Sequence, residues 1–344
     1  MIISFSNTIL QTQDHGIQRT LAKILVELIE EKSQIHFIDI NTIATSIFFD
    51  NEDKYIFNEN TIAKEHLDKT EKIELKEYIS NILRKPITRL HRNHLTNFVI
   101  GVNSEEIHPN DAYRIIKERS KIIVENGIND WKFITAICQK YSNARKSRQS
   151  IYSLLDKAIK MGAIESEHTG GIGEVKKVAP RWIDDQRYAS IYKYKLMAIF
   201  DSDRKIEDAE ITHKKQQDII DFLSERNINY HMLHKRKIEN YLPLSVMLEN
   251  RMIKGRITEA QKIDLENKSR DELDFLEYGS KEGCINLGNW GEREIKENFP
   301  EMFLASFSYR DFEKRCEHHK KYLQETDEET YETEEILLKM AKIL

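Results

Sequence analysis

The sequence predicts an α/β protein: a Rossmann-like parallel sheet with flanking helices, joined to an N-terminal α+β region and a mainly helical C-terminal region. Three observations carry that reading. The run Leu196-Met197-Ala198-Ile199-Phe200 is apolar without a break and stops at Asp201 and Asp203. It is too short for an ordinary helix and lacks a helical period, as expected of a strand buried on both faces. Short apolar runs alternate with helix-patterned segments between about residues 119 and 243, the pattern of βαβ units. Five prolines and twelve glycines among 344 residues favour long elements and short loops.

A chain of this length holds two or three domains, and the pattern divides it at 1–118, 119–243 and 244–344. Hydrophobic residues make up 40% and charged residues 32%, as in globular proteins, and no apolar run reaches the length of a membrane span. The start, MIISFSNTILQTQDHG, has neither a basic leader nor a small-residue cleavage site, so no signal peptide and a cytoplasmic location are expected. Cys138, Cys284 and Cys316 are far apart and odd in number, which argues against structural zinc and for a reducing compartment. A net charge of −5 excludes a basic coat protein but not a local basic patch.

In residues 1–118, Ile2–Phe5 and Ile35–Ile40 read as short strands. Ile17–Leu28 and Glu71–Leu83 carry helical spacing, the second stopped by Pro86. Asp50–Glu59 is polar and reads as loop, and His91 and His94 fit a solvated basic face. No catalytic constellation is visible here, so docking or recognition is the expected role.

The next segment is sharper. Lys121–Val124 forms a second apolar strand, ending on Glu125, and Asn126-Gly127 supplies a turn. Asp130 stands where a helix N-cap belongs, before Trp131, Phe133, Ile134 and Ile137. Arg145, Lys146 and Arg148 lead into a helix containing Ile151, Leu154 and Leu155; they suit a solvated helix start or a phosphate-facing surface. Ala163–Glu165 reads as a short strand. Gly170-Gly171-Ile172-Gly173 then opens onto Lys176 and Lys177, a turn whose N–H groups can approach an anion. A helix over His213–Arg226 precedes a third strand, Ile228–Leu233, which ends on His234-Lys235-Arg236-Lys237-Ile238-Glu239-Asn240-Tyr241. The last hundred residues read as helical around a loop-rich Gly279–Gly291. The acidic stretch Glu325–Glu335 reads as a solvated end.

Three strand ends therefore carry Glu125, the pair Asp201/Asp203, and a basic cluster containing Glu239. In extended chain, residues two apart point the same way, so Asp201 and Asp203 can share one hard cation. Asp-Ser-Asp is equally what a polar turn closing a strand looks like; the other strand ends tip the balance. Carboxylates projecting from one sheet edge repel unless a divalent cation sits among them. Oxygen ligation favours Mg²⁺ or Mn²⁺, and neighbouring lysines and arginines suit phosphate.

The order of these pieces resembles the TOPRIM domain shared by topoisomerases, primases and several nucleases. In that family a glutamate ends the first strand and an Asp-x-Asp pair ends a later one, matched here by Glu125 and by Asp201 and Asp203. The basic Ile-Glu-Asn-Tyr element from Lys235 to Tyr241 is similar to one in OLD-type nucleases and stand-alone relatives from bacterial antiphage operons. The resemblance covers residues 119–243. Two departures stand out: the turn after Glu125 is one residue longer than the family's, and Lys237 occupies a position where an acid is usual.

The resemblance implies a Mg²⁺-dependent (or Mn²⁺-dependent) endonuclease acting on DNA or RNA, tRNA included. Glu125, Asp201 and Asp203 would be ligands, with Asp130 as a further candidate. Glu125 would alternatively move a proton, Lys235 or Arg236 would steady phosphate charge, and Glu239 would support them. Arg145, Lys146, Arg148, Lys176, Arg236 and Lys237 are the candidate nucleic-acid contacts. It also implies a toxic effector of antiphage defence restrained by a protein partner or by homo-oligomerisation. No GxxxxGK[ST] is present, so an ATPase would act in trans. Two rival readings remain: a Mn²⁺-dependent nucleotide-sugar glycosyltransferase using the Asp-x-Asp pair, and a non-catalytic adaptor on the same sheet.

Overall fold

The computed structural model describes residues 1–9, 12–30, 35–39, 66–84, 87–207, 214–255, 257–278, 298–323 and 328–344. The loops read at Asp50–Glu59 and Gly279–Gly291, the stop at Pro86, Cys284, and Glu325 and Asp327 of the acidic stretch lie outside these residues.

The N-terminal part opens with strand β1 (Ile2–Phe5), helix α1 (His15–Glu30) and strand β2 (Phe37–Ile38). Helices α2 (Lys69–Arg84) and α3 (Arg89–His94), strand β3 (Asn97–Ile100) and helix α4 (Pro109–Lys117) follow. The strands pair in the order β2-β1-β3, both pairings parallel. This region is thus α/β, a correction to the α+β expectation. The reason is β3: Asn-Phe-Val-Ile alternates exposed and buried residues, and α2 and α3 separate it from β2. His94 is buried rather than part of a solvated face.

The second sheet is made by β4 (Ser120–Val124), β5 (Ile164–His168), β6 (Leu196–Phe200) and β7 (Asn229–Met232). All its pairings are parallel, in the order β5-β4-β6-β7. Between β4 and β5 run helices α5 (Asn129–Ser142) and α6 (Gln149–Lys160). Helix α7 (Val175–Ile183) leads back toward β6, and α8 (Lys214–Glu225) connects β6 to β7. Every residue of β6 is buried, because neighbours cover both its edges and helices cover both its faces.

The two faces follow the period of two in the strands. Ile122, Val124, Met197 and Ile199 belong to the core containing Phe133, Ile137, Ile151 and Leu155 of α5 and α6. Ile123, Leu196, Ala198 and Phe200 meet Val175 and Ala179 of α7 and Ile219 and Leu223 of α8. The result is three layers, helix on sheet on helix.

The C-terminal part is mainly helical and includes α9 (Arg270–Asp274), α10 (Tyr309–Arg315), an antiparallel hairpin of β8 (Lys321–Leu323) and β9 (Glu328–Thr330), and α11 (Glu332–Ala341). Helix α11 enters the core: Ile336, Leu337, Met340 and Ala341 are fully buried. Glu332 and Glu334 are each only 1% exposed, which overturns the expectation of a solvated acidic end. Their partners lie far upstream: Glu334 meets Lys146 at 2.9 Å and Tyr152 Oη at 2.6 Å. The chain ends beside its beginning, with the Met1 ammonium donating to Leu344 O at 3.3 Å.

Candidate functional site

From β4 the chain moves outward to β5, and from β6 it moves the other way to β7. The gap between the carboxyl ends of β4 and β6 is therefore a topological switch point, where open α/β sheets leave a crevice for ligands. Glu125 follows β4 directly, and Asp201 follows β6. Register aligns the two strands, Ile122 with Met197 and Ile123 with Ala198. Glu125 Oε1 accepts the Asp201 N–H at 3.1 Å across the gap. A cavity of about 480 Å³ opens there, lined by Glu125, Asp130, Asp201, Asp203, Lys237 and Glu239, among others.

The turn after Glu125 is ordered by side chains. Asn126 Oδ1 accepts the N–H groups of Ile128 and Asn129, each at 3.1 Å. Asp130 Oδ2 accepts the Asn126 N–H at 2.8 Å. Asp130 therefore sits inside the first turn of α5 rather than at its N-cap position, which Ile128 occupies without a side-chain cap. The bond from the Asn126 N–H turns the Asp130 carboxyl back toward the cavity, which it lines. On the far wall, Gly170 and Gly171 have φ of 80° and 136°, backbone that favours glycine. Their N–H groups are already engaged, Gly170 with Glu125 O at 3.1 Å and Gly171 with Thr169 Oγ1 at 3.4 Å. Those two amides shape the wall, while the Ile172 N–H of the same turn bonds the Glu125 carboxyl.

Asp203 adopts φ of 53°, a left-handed conformation that Asp tolerates better than most residues. Its N–H donates to Arg236 O at 3.1 Å, and Ser202 Oγ donates to Lys235 O at 2.8 Å. These bonds tie the Asp-Ser-Asp segment to the chain leaving β7. Gln216 Nε2 donates to Asp203 Oδ2 at 3.2 Å, and Lys237 Nζ stands 4.0 Å from Asp203 Oδ1.

Electrostatics distinguish this edge from ordinary surface. Burial, reinforced by Glu125, Asp130, Glu239 and Asp203, drives the Asp201 carboxyl well above its ordinary value. Burial also raises Glu125, with Asp203 adding to the shift and the Asp201 N–H and Lys237 opposing it. Asp130 is pushed up to about 7, by burial first and then by Glu125 and Glu239, against the Asn126 N–H. Such a set retains protons at a cost that a cation would remove. The carboxylates suit a hard divalent ion, which coordinates through oxygen. Their spacing is open: among the described residues, the group of three His, Cys, Asp or Glu donors within 4.8 Å of one another is His231, His234 and Glu332. An ion held by one or two carboxylates and otherwise by water, the habit of Mg²⁺, fits that spacing.

Several residues read as site residues lie elsewhere. Lys235 is fully buried, with Nζ 2.5 Å from Asp274 Oδ1 and donating to Arg315 O at 2.6 Å; it cannot reach phosphate. Arg236 is 8% exposed and pairs with Glu277 at 2.8 Å. Arg148 is 2% exposed and donates to Thr330 Oγ1 at 2.8 Å. Lys146 is held between Glu313 and Glu334. Burial or ion pairing replaces the expected nucleic-acid contact of Arg236, Arg148 and Lys146, and the expected phosphate-steadying role of Lys235. Arg145 is exposed, and Lys176 stands 3.9 Å from Asp218 on the surface; neither lines the cavity. Lys237 is the cation that does. Sequence reasoning missed Gln216, whose approach to Asp203 depends on how α8 returns to the sheet. It also missed His168, which ends β5 and accepts the Gly127 N–H at 3.0 Å.

Comparison with protein-family models, with curated proteins and with solved structures gives no match.

Proposed function

We propose that this chain is a Mg²⁺- or Mn²⁺-dependent nuclease of the TOPRIM type that hydrolyses phosphodiester bonds of DNA or RNA. The observation that supports it most is the meeting of Glu125 with Asp201 and Asp203 at the switch point of a parallel sheet. Asp201 and Asp203, with Glu125, would hold the ion; when bound, it supplies positive charge to a phosphoryl oxygen and to attacking water. Asp130, whose buried carboxyl is raised beside Glu125 and Glu239, lines the same cavity and would be a further ligand. Lys237 takes the phosphate-steadying role first assigned to Lys235, since its ammonium faces the cavity beside Asp203. Glu239 adds negative charge behind the ion.

The sequence resemblance extends this reading to a cytoplasmic toxic effector of bacterial antiphage defence. A protein partner, an ATPase in trans or homo-oligomerisation would restrain it. The glycosyltransferase reading is weaker, because the N-terminal βα unit forms a separate sheet and does not continue the sheet bearing Asp201 and Asp203. The test is cleavage of labelled plasmid, single-stranded DNA and bulk tRNA in Mg²⁺, Mn²⁺ or EDTA. Metal-dependent cutting that is lost in Asp201→Asn while nucleic-acid binding persists supports the nuclease. Cutting that survives in Asp201→Asn and Asp203→Asn removes the active site from this cavity.

A further inference from the structure

A second cluster lies outside the acidic cavity, where α11 meets the edge strand β7. His231 lies in β7, His234 two residues beyond it, and Glu332 is the first residue of α11. One donor atom from each lies within 4.8 Å of the others. His231 Nε2 stands 3.0 Å from Glu332 Oε1, and His234 Nδ1 stands 3.7 Å from Oε2. Bonds of about 2.0–2.2 Å to zinc in a tetrahedral shell would set donors roughly 3.3–3.6 Å apart, so the observed distances bracket the required ones. The His234 N–H also donates to Glu332 Oε1 at 2.6 Å, fixing the carboxylate.

We propose that His231, His234 and Glu332 form a binding site for a transition-metal ion of the Zn²⁺ class, which fastens α11 to the edge of the four-stranded sheet. Two imidazoles and a carboxylate are a borderline donor set that selects Zn²⁺ or Co²⁺ over Mg²⁺. His231 and Glu332 side chains are 2% and 0% exposed, whereas His234 is 23% exposed and supplies the entry path. Beside the His231 ring, Lys339 Nζ lies 3.1 Å from Nδ1 and 3.0 Å from Glu335 Oε1, which is itself 3.8 Å from Nδ1. An ion on Nε2 would put the ring proton on Nδ1, and Glu335 would replace the Lys339 contact as its partner.

The site shares no residue with the lining of the acidic cavity, and the experiment separates them. Full-length protein stripped with EDTA is titrated with Co²⁺ and then with Zn²⁺. One equivalent of Co²⁺ is expected to give visible d–d absorption several times stronger than that of the hydrated ion, abolished by Zn²⁺. The spectrum persists in Asp201→Asn and disappears in His234→Ala and His234→Gln, whose folding is checked by circular dichroism; position 234 is partly exposed and tolerates both. Zn²⁺ raises the Tm of wild type but not of the His234 variants. No enhanced absorption in wild type, or a spectrum that survives in folded His234→Ala, overturns the proposal. So does a spectrum lost in Asp201→Asn, which would place the ion in the acidic cavity.

Discussion

Replacing Asp274 by Asn tests whether Lys235 acts in the core rather than in the cavity. The Asp274 carboxylate is 1% exposed and takes Lys235 Nζ at 2.5 Å and Arg315 Nη2 at 2.9 Å on one oxygen. His319 Nε2 stands 3.4 Å from the other. The amide keeps the shape of the side chain but leaves Lys235 and Arg315 without their shared counter-charge. Removing one partner of a buried ion pair costs about 3–5 kcal/mol. At roughly 2 °C per kcal/mol for a long chain, Tm at pH 7 falls by about 6–10 °C. Adding Lys235→Met recovers part of that loss, because one uncompensated charge is gone. The effect is pH-dependent. Burial alone would raise the Asp274 carboxyl, but His319, Lys235 and Arg315 outweigh it and hold the group below the usual carboxylate range. A group held low in the folded state contributes stability above its unfolded pKa of about 3.9 and loses it as pH falls through the folded value. Thermal melts of wild type and variant therefore differ fully at pH 7 and converge in acid. A difference below about 1 kcal/mol at pH 7, the range of exposed ion pairs, would refute the reasoning.

Three further outcomes follow from the same geometry. Lys237→Met should lower kcat/KM for a cleaved phosphodiester by about tenfold or more, near 1.4 kcal/mol, with little change in Tm, whereas Lys235→Met should do the reverse; a catalytic loss confined to Lys235→Met would return that lysine to the chemistry. Asp201→Asn should raise the Tm of the metal-free chain by a few degrees, since it removes a carboxyl that burial and four other carboxylates force to hold its proton at a cost to folding, and a lower Tm would contradict that account. Gly171→Ala should cost about 1–3 kcal/mol from backbone strain alone, because φ is 136° and an added Cβ would meet nothing within 4 Å; an unchanged denaturation midpoint would show that the turn has an easier conformation.

What could be read from the sequence depended on how local the signal was. Strands β4 and β6 announce themselves by unbroken apolar runs, β7 by apolar residues mixed with Asn229 and His231, and the helices between them by their spacing. Glu125, Asp201 and Asp203 were findable because a strand end is a local event, and the sheet then brings such ends together. The ionic partners were not local. Lys235 and Asp274 are 39 positions apart and Arg315 80 positions from Lys235 (274 − 235; 315 − 235), so a run that looks like a phosphate-binding patch is divided between core and cavity by the fold. The same blindness hid the burial of Glu332 and Glu334. An acidic run signals solvent only when no cation or imidazole is folded against it, and here His231, His234 and Lys146 are. Of the strand read at Ile35–Ile40, the described residues that pair with β1 are Phe37 and Ile38; Ile40 lies outside the described residues.

The chain leaving β7 shows why the cavity depends on the C-terminal part. Along it, His234 meets Glu332, Lys235 meets Asp274, Arg236 meets Glu277, and Lys237 faces Asp203. Asn240 Nδ2 donates to Leu273 O at 2.8 Å and Leu276 O at 3.0 Å, and the Tyr241 ring packs 5.1 Å from that of Phe133. Three of the first four contacts reach beyond residue 243, into the C-terminal part. The sheet fixes Glu125 and Asp201 through register alone, but it does not fix Lys237 and Glu239. Those are positioned by Asp274, Arg315 and Glu332, whose ion pairs hold the segment from below while Ser202 and Asp203 bond to its backbone from above. Residues 119–243 expressed alone would keep the strand ends that carry Glu125, Asp201 and Asp203 and lose the wall that carries Lys237 and Glu239. The cavity is thus a joint product of the sheet and the C-terminal helices.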